Sequence, residues 1–366
     1  MFGCVPEREH PLKVYAGMDP RLSLPDVIAH ARRIEALGYD GLHVSETVHD
    51  ALALSLLVAE HTERITIRTS VALAFVRSPT LTAYAAWDLA KLSNGRFQLG
   101  LGTQIRQNIE DRYAMGWTDP VERMRDYLGA LRALFECFRT GEAIRYEGTS
   151  YRITRMQPYF NPGPDKSIAV PPLWLGGVNA GICRLAGEMA EGFVTHPTNS
   201  NPRYLETLCL PNLLAGAETA GRDLRAVELV VGTQVITGAT LGDLDAERER
   251  QRRLFAFLYS TPAYRRTLEL YGWEDLATRL GDLVRHDRWE NLTDEVTDEV
   301  LDTLIPSACF GDLPELLNRR FGHLCQGITL APPTDPVHDG EFAEVIAALR
   351  QPVPADTPSS RRIGGG

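Results

Sequence analysis

An alternation constrains this chain more than any other feature. Within the first hundred residues an extended apolar run gives way to an amphipathic helical one, again and again. KVYAG (13–17), YDGLHVSE (39–46), ITIRTSVALAF (65–75) and RFQLGLG (96–102) read as strands, the third especially rich in β-branched residues. Between them LPDVIAHARRIEALG sets Val27, Ala31, Ile34 and Leu37 on one helical face, with Pro25 near its start and Gly38 at its end. ALALSLLVAEH (51–61) and the segment from Ser78-Pro79 to Leu92 read as the next helices, and Asn94-Gly95 closes the second of them. A helix between successive strands implies parallel strands joined by right-handed crossovers.

The pattern continues, more loosely. VPPLWLGG (170–177), GFVTH (192–196), LVVGTQVIT (229–237) and QGITLA (326–331) supply further strands, with helices expected over 121–138, 180–190, 203–220 and 341–349. Eight strands with helical crossovers predict a (β/α)8 TIM barrel, a single α/β domain over residues 12–350. Two segments exceed the minimum: residues 140–169, with a hairpin in AIRYEGTSYRIT, and residues 240–322, with several helices between the seventh and eighth strands. Both are expected to cap the C-terminal mouth. Residues 351–366, with their prolines and terminal RRIGGG, read as a disordered tail.

A net charge of −10 argues against nucleic-acid or anionic-membrane partners, which need a basic face. The six cysteines include no C-x-x-C, so they read as small core residues of a reducing compartment. The start, MFGCVPEREHPLK, is charged within ten residues and carries no apolar leader, and a cytoplasmic protein is expected.

Gly100-Leu101-Gly102 ends the fourth strand and is followed by Thr103-Gln104. A dinucleotide fingerprint would sit on the first strand and carry a third glycine where Ile105 stands. In a barrel the same glycines would instead let a flat ligand lie against the strand ends. His43, Glu46 and His49 form H-x-x-E-x-x-H, but residues three apart on a strand face opposite ways, so no metal site is expected.

EALGYDGLHVSE, RTSVALAF followed by RSPTLTA, SNGRFQLGLGTQ, and PLWLGG with LAGEMAEGF behind it resemble the luciferase-like flavin and deazaflavin oxidoreductases. These are (β/α)8 proteins found with reduced FMN or with coenzyme F420, and the likeness runs from about Val14 to Ala331. It implies roles for individual positions. Ser70-Val71 fall where many deazaflavin-binding members carry a non-proline cis peptide in a bulge behind the tricyclic ring. Thr103, Gln104 and Asn108 fall where those members hold the ring and ribityl chain. Gly176, Gly177, Asn179 and Ala180 fall where amides at a helix N-terminus receive the cofactor phosphate. Glu46 takes the second-strand position that faces the cofactor. The resemblance also implies a homodimer.

There are departures. Sugar-phosphate dehydrogenases of this family carry a histidine at the position of Thr47, an acid at that of Ile105 and a lysine at that of Thr198; Thr195 is kept. A hexose phosphate is therefore not the expected substrate. His49, with Glu46 assisting, is the candidate proton donor; the alternative is a plain loop residue beside a helix-capping Asp50. Asp19, Trp117, Thr195 and His196 are candidate substrate contacts, each with a structural alternative as turn, core or loop residue. The expected function is hydride transfer between F420 and a small organic substrate at the mouth. The alternatives are an FMN-dependent monooxygenase fed by a partner reductase and a non-catalytic flavin or deazaflavin binder.

Overall fold

The computed structural model describes residues 11–351, so the tail expected over residues 351–366 lies, but for Gln351, outside the described residues. Eight strands form its centre: β1 (Lys13–Gly17), β2 (Gly41–Val44), β3 (Thr66–Thr69), β4 (Phe97–Gly102), β5 (Leu173–Gly177), β6 (Gly192–Thr195), β7 (Glu228–Val231) and β8 (Gly327–Thr329). Each pairs in parallel with its neighbours in chain order, β1 pairs with β8, and the ring closes. The expected (β/α)8 barrel is what forms.

The helices obey the sequence pattern. α1 (Leu24–Ala36) buries Val27, Ala31 and Ile34 as spaced, and Asp50 caps α2 (Ala51–His61) through the amides of Leu52 and Ala53. α3 (Pro79–Leu92), α4 (Pro120–Thr140), α5 (Ala180–Met189) and α6 (Leu210–Thr219) continue the outer ring. Outward strand residues and inward helix residues make the main apolar core.

Register fixes what fills the barrel. Tyr15, His43, Arg68, Trp174, Val194 and Val230 share an inward row, because strand side chains alternate and the paired positions match. A Cβ on Gly192 would lie 2.4 Å from the Trp174 ring, so glycine there admits the indole. Above this row, at the C-terminal ends of the strands, lies the mouth.

Two strand expectations need correction. ITIRTSVALAF is interrupted after Thr69 and resumes only as Ala72–Leu73 beside β4. LVVGTQVIT leaves the barrel after Val231, and Ile236–Gly238 pairs with Ser307–Cys309 in a separate two-stranded sheet. Between these short strands α7 (Leu241–Tyr259), α8 (Glu274–Arg285) and α9 (Asp298–Leu304) gather a second apolar cluster around Phe255, Leu280 and Leu301. α10 (Leu313–Phe321) and α11 (Asp339–Leu349) complete the ring.

The insertions differ in what they touch. The one after β7 reaches the mouth, since Tyr259 and Thr267 both donate to the Thr198 carbonyl just beyond β6. The other makes its contacts along the helix layer: Tyr146 with Asp126 of α4, and Tyr84 of α3 with Met156 and Phe160. It clads α3 and α4 rather than overhanging the mouth.

Candidate active site

One side of the mouth is built by the break in β3. The Ser70–Val71 peptide bond is cis, at the position the sequence marks. Val71 then packs over β4 and β5: a Cβ on Gly102 would lie 2.4 Å from Val71 Cγ2, and one on Gly176 2.6 Å from Val71 Cγ1. Gly100 is filled in the same way, since its Cβ would meet the Thr69 carbonyl oxygen at 1.9 Å. Thr69 Oγ1 donates to the Gly100 carbonyl (2.8 Å) and accepts from the Gly100 amide (2.9 Å). The expectation that these glycines make room directly for a ligand is thus corrected. They seat the bulge, and Val71 becomes the wall.

Glu46 is placed otherwise than as a proton donor. Its carboxylate accepts from Arg77 Nη1 and Nη2 (both 2.7 Å) and from the Leu73 amide (2.6 Å), and its side chain is 9% exposed. Arg77 Nη2 also reaches Asp50 (2.7 Å). So little-exposed a carboxylate needs its counter-charge, and here the pair ties β2 to the chain just past the bulge. His49 Nε2 lies 3.3 Å from the Leu22 carbonyl, half-buried. His43 points into the barrel, with Nε2 3.0 Å from Arg68 Nη1. The H-x-x-E-x-x-H residues therefore reach three different partners.

Past β4, Thr103 Oγ1 donates to the Gln104 carbonyl (3.0 Å) and Gln104 Oε1 accepts from the Ile105 amide (2.9 Å). Gln104 has φ 60°, and Asn108 opens a π turn running to Arg112. At β5, Asn179 caps α5 by accepting from the Ile182 amide (3.0 Å), and Ile182 packs where a Cβ on Gly177 would be. The amides of Ala180 and Gly181, ahead of the capped Ile182, lie at the helix start, the geometry that suits an anion.

The opposite side comes from β6 and the second insertion. His196 stacks on Tyr264, with centroids 4.4 Å apart and planes at 11°. Its Nδ1 lies 2.8 Å from Thr198 Oγ1 and 3.3 Å from the Thr198 amide nitrogen, and its Nε2 lies 3.3 Å from Tyr264 Oη. Burial pushes the His196 pKa down to about 4, so the ring is neutral in ordinary buffers. Thr195 is taken up by the scaffold: buried, it accepts from the Gly232 amide (3.0 Å) and lies 2.8 Å from Ser200 Oγ. Alternation turns it away from the lumen, which corrects its assignment as a substrate contact. Asp19 is exposed and accepts from the Arg21 amide (2.9 Å), as a turn residue does. Trp117 is half-buried, edge-on to Phe75 at 6.0 Å.

Tyr264, and the partners of Glu46 and His43, were not foreseen. Arg68 could have been found by counting twos along ITIRTS, because it shares Ile67's strand but faces the lumen. Nothing in the local sequence points to Tyr264, since its role depends on where an irregular insertion folds. Among the described residues no cluster of His, Cys, Asp and Glu suits a metal ion, and no helix is long and apolar enough to cross a membrane.

The closed ring of eight parallel strands with helices around it defines a (β/α)8 barrel protein. Residues 3–315 match the family model of luciferase-like monooxygenases, and the chain belongs to that family. It is 39% identical over 283 residues to the uncharacterised protein Rv1360 of Mycobacterium tuberculosis, covering 76% of this chain and 83% of that one. It is 26% identical over 308 residues to a 5,10-methylenetetrahydromethanopterin reductase of Archaeoglobus fulgidus, covering 82% and 87%. Among solved structures, the coenzyme F420-dependent tetrahydromethanopterin reductase of Methanopyrus kandleri superposes with a TM-score of 0.75 at 15% identity, over 93% of this chain and 98% of that one.

Proposed function

We propose that this protein is an F420-dependent oxidoreductase acting on a small organic substrate at the barrel mouth. The observation that carries the reading is the wall made by Val71 on its glycine seats, with the anion-suited start of α5 beside it. A relative 31% identical over 222 residues, the F420-dependent glucose-6-phosphate dehydrogenase of Beutenbergia cavernae, supports the choice of cofactor. F420 supplies hydride chemistry at its deazaflavin ring, and the protein supplies binding, orientation and proton handling.

Ser70, Val71, Thr103, Gln104 and Asn108 hold the ring and its chain, while Gly176, Gly177, Asn179 and Ala180 receive the phosphate. Glu46 acts at one remove, by fixing the bulge through Arg77 and the Leu73 amide. On the substrate side His196 Nε2 and Tyr264 Oη, 3.3 Å apart, are the pair that meets a substrate oxygen. His49 remains the proposed group for exchanging a proton with solvent, being half-buried with a single backbone contact. Asp19 and Trp117 complete the rim.

The test is a side-by-side fluorescence titration with oxidised F420 and with FMN. F420 binding at least about tenfold tighter, a difference of roughly 1.4 kcal/mol, supports the reading. Tighter FMN binding transfers it to a monooxygenase fed by a reductase, with oxygen uptake as the next assay. Binding of neither overturns it.

A further inference from the structure

Beneath the mouth the barrel holds a charge that the proposed chemistry has not used. Arg68 is fully buried in the inward row. Its guanidinium lies 3.3 Å from the centroid of the Trp174 ring and 4.7 Å from that of Tyr15. Nε donates to Gln98 Oε1 (2.7 Å), Nη1 meets His43 Nε2 (3.0 Å) and Nη2 donates to Tyr15 Oη (3.4 Å). Every one of these partners is uncharged. Burial, and then Arg68 itself, hold His43 well below its usual pKa, and burial raises the Tyr15 phenol to about 12. The acid joined to the network, Glu228, is reached only through the Tyr15 hydroxyl (3.3 Å) and is already paired with Lys13 (3.0 Å). Arg68 therefore has no carboxylate in direct contact, and Glu228, which it feels across Tyr15, is shared with Lys13.

An unpaired charge buried among neutral groups is expensive and is kept where its field is used. Arg68 lies two residues before Ser70, so its Cα is about 7 Å below the bulge along the strand. Gln98, His43 and the two rings hold the guanidinium in place, and the protein between it and the mouth screens it far less than water does. We infer that Arg68 is an electrostatic positioning residue, which stabilises negative charge on a ring bound at the mouth. It touches neither cofactor nor substrate and acts through its field. This inference rests on the F420 reading. The deazaflavin ring carries an acidic hydroxyl, and loss of its proton to solvent leaves an anion with a distinct absorption spectrum. A cation below the ring favours that anion.

The experiment is a spectrophotometric pH titration of F420 bound to the full-length protein, compared with free F420 and with the R68Q and R68K variants. In the wild type the bound hydroxyl should ionise at a lower pH than in the free cofactor. R68Q should raise the bound midpoint by about one unit, a tenfold weaker ionisation constant. R68K should keep most of the wild-type shift. A residue that only fills space would alter affinity and stability but leave the midpoint alone, so an R68Q complex that titrates like the wild type overturns the inference. Should R68Q fail to fold, the wild-type complex and R68K decide: a midpoint equal to that of free F420 overturns it equally. Failure of the wild type to bind F420 at all is a separate result and removes the reading beneath it.

Discussion

The two sides of the mouth are built on different principles. The β3–β4–β5 side is backbone against backbone, with Thr69, Gly100 and Gly102 interlocked and Glu46 clamped by Arg77. The β6 side is side chain against side chain: His196 lies on Tyr264, and Tyr264 arrives from a segment with its own apolar cluster. The first arrangement allows one shape only and suits an invariant cofactor. The second can change its residues without disturbing the barrel, and suits a substrate. If that contrast is right, damage on the first side should cost folding and cofactor together, whereas damage on the second should spare both.

The largest effect is expected from Gly100→Ala. Its Cβ would meet the Thr69 carbonyl at 1.9 Å, and the atom in the way is backbone. We predict destabilisation above about 4 kcal/mol, read as a lower urea midpoint or loss of soluble protein. Gly102→Ala meets only a Val71 methyl. It should be milder, and Val71→Ala in the same chain should recover part of the loss; simple additivity would show that the two do not press on each other.

Arg77→Met comes next. It leaves Glu46, 9% exposed, without its partner and frees Asp50 as well. Breaking such a pair from one side costs about 3–5 kcal/mol. F420 affinity should fall too, because Glu46, no longer held by Arg77, is free to turn away from the Leu73 amide it fixes. Unchanged affinity would separate the clamp from the cofactor wall.

On the other side, His196 predicts a pH dependence. Its folded pKa is about 4 against an ordinary 6.5, so between those values the unfolded chain holds more protons. Stability therefore rises with pH across that window, is complete above 6.5 and is lost as pH falls towards 4. The contribution is at most about 3 kcal/mol. Tyr264→Ala should expose the ring, raise its pKa and flatten the slope, with F420 affinity unchanged. An imidazole NMR titration that does not move in the variant would mean that the barrel, not Tyr264, keeps the ring dry.

How much of this the sequence disclosed follows the same division. The barrel was legible because its signals are local and repeated, as in the spacing of Val27, Ala31 and Ile34 or the turn at Asn94-Gly95. The bulge at Ser70-Val71 was legible by resemblance. What Gly102 makes room for was not, since that depends on Val71, far earlier in the chain. Glu46 was read as facing the cofactor, but its partner Arg77 lies 31 residues away, beyond the reach of any local pattern. Tyr264 was out of reach because its place is set by tertiary packing of helices with no repeating pattern.

The smallest effect on stability is expected from His49→Gln, and it bears directly on the contrast. The ring makes one contact, to the Leu22 carbonyl at 3.3 Å, which an amide can replace, so stability should stay within about 0.5 kcal/mol. His49 nevertheless follows β2, on the rigid side, where the neighbouring Glu46 is clamped by Arg77 and the Leu73 amide. If it exchanges the proton, F420 affinity should be unchanged while turnover falls by about a hundredfold. If turnover survives and Tyr264→Phe abolishes it instead, proton handling belongs to the adaptable side together with the substrate. The rigid side would then do nothing but hold the ring.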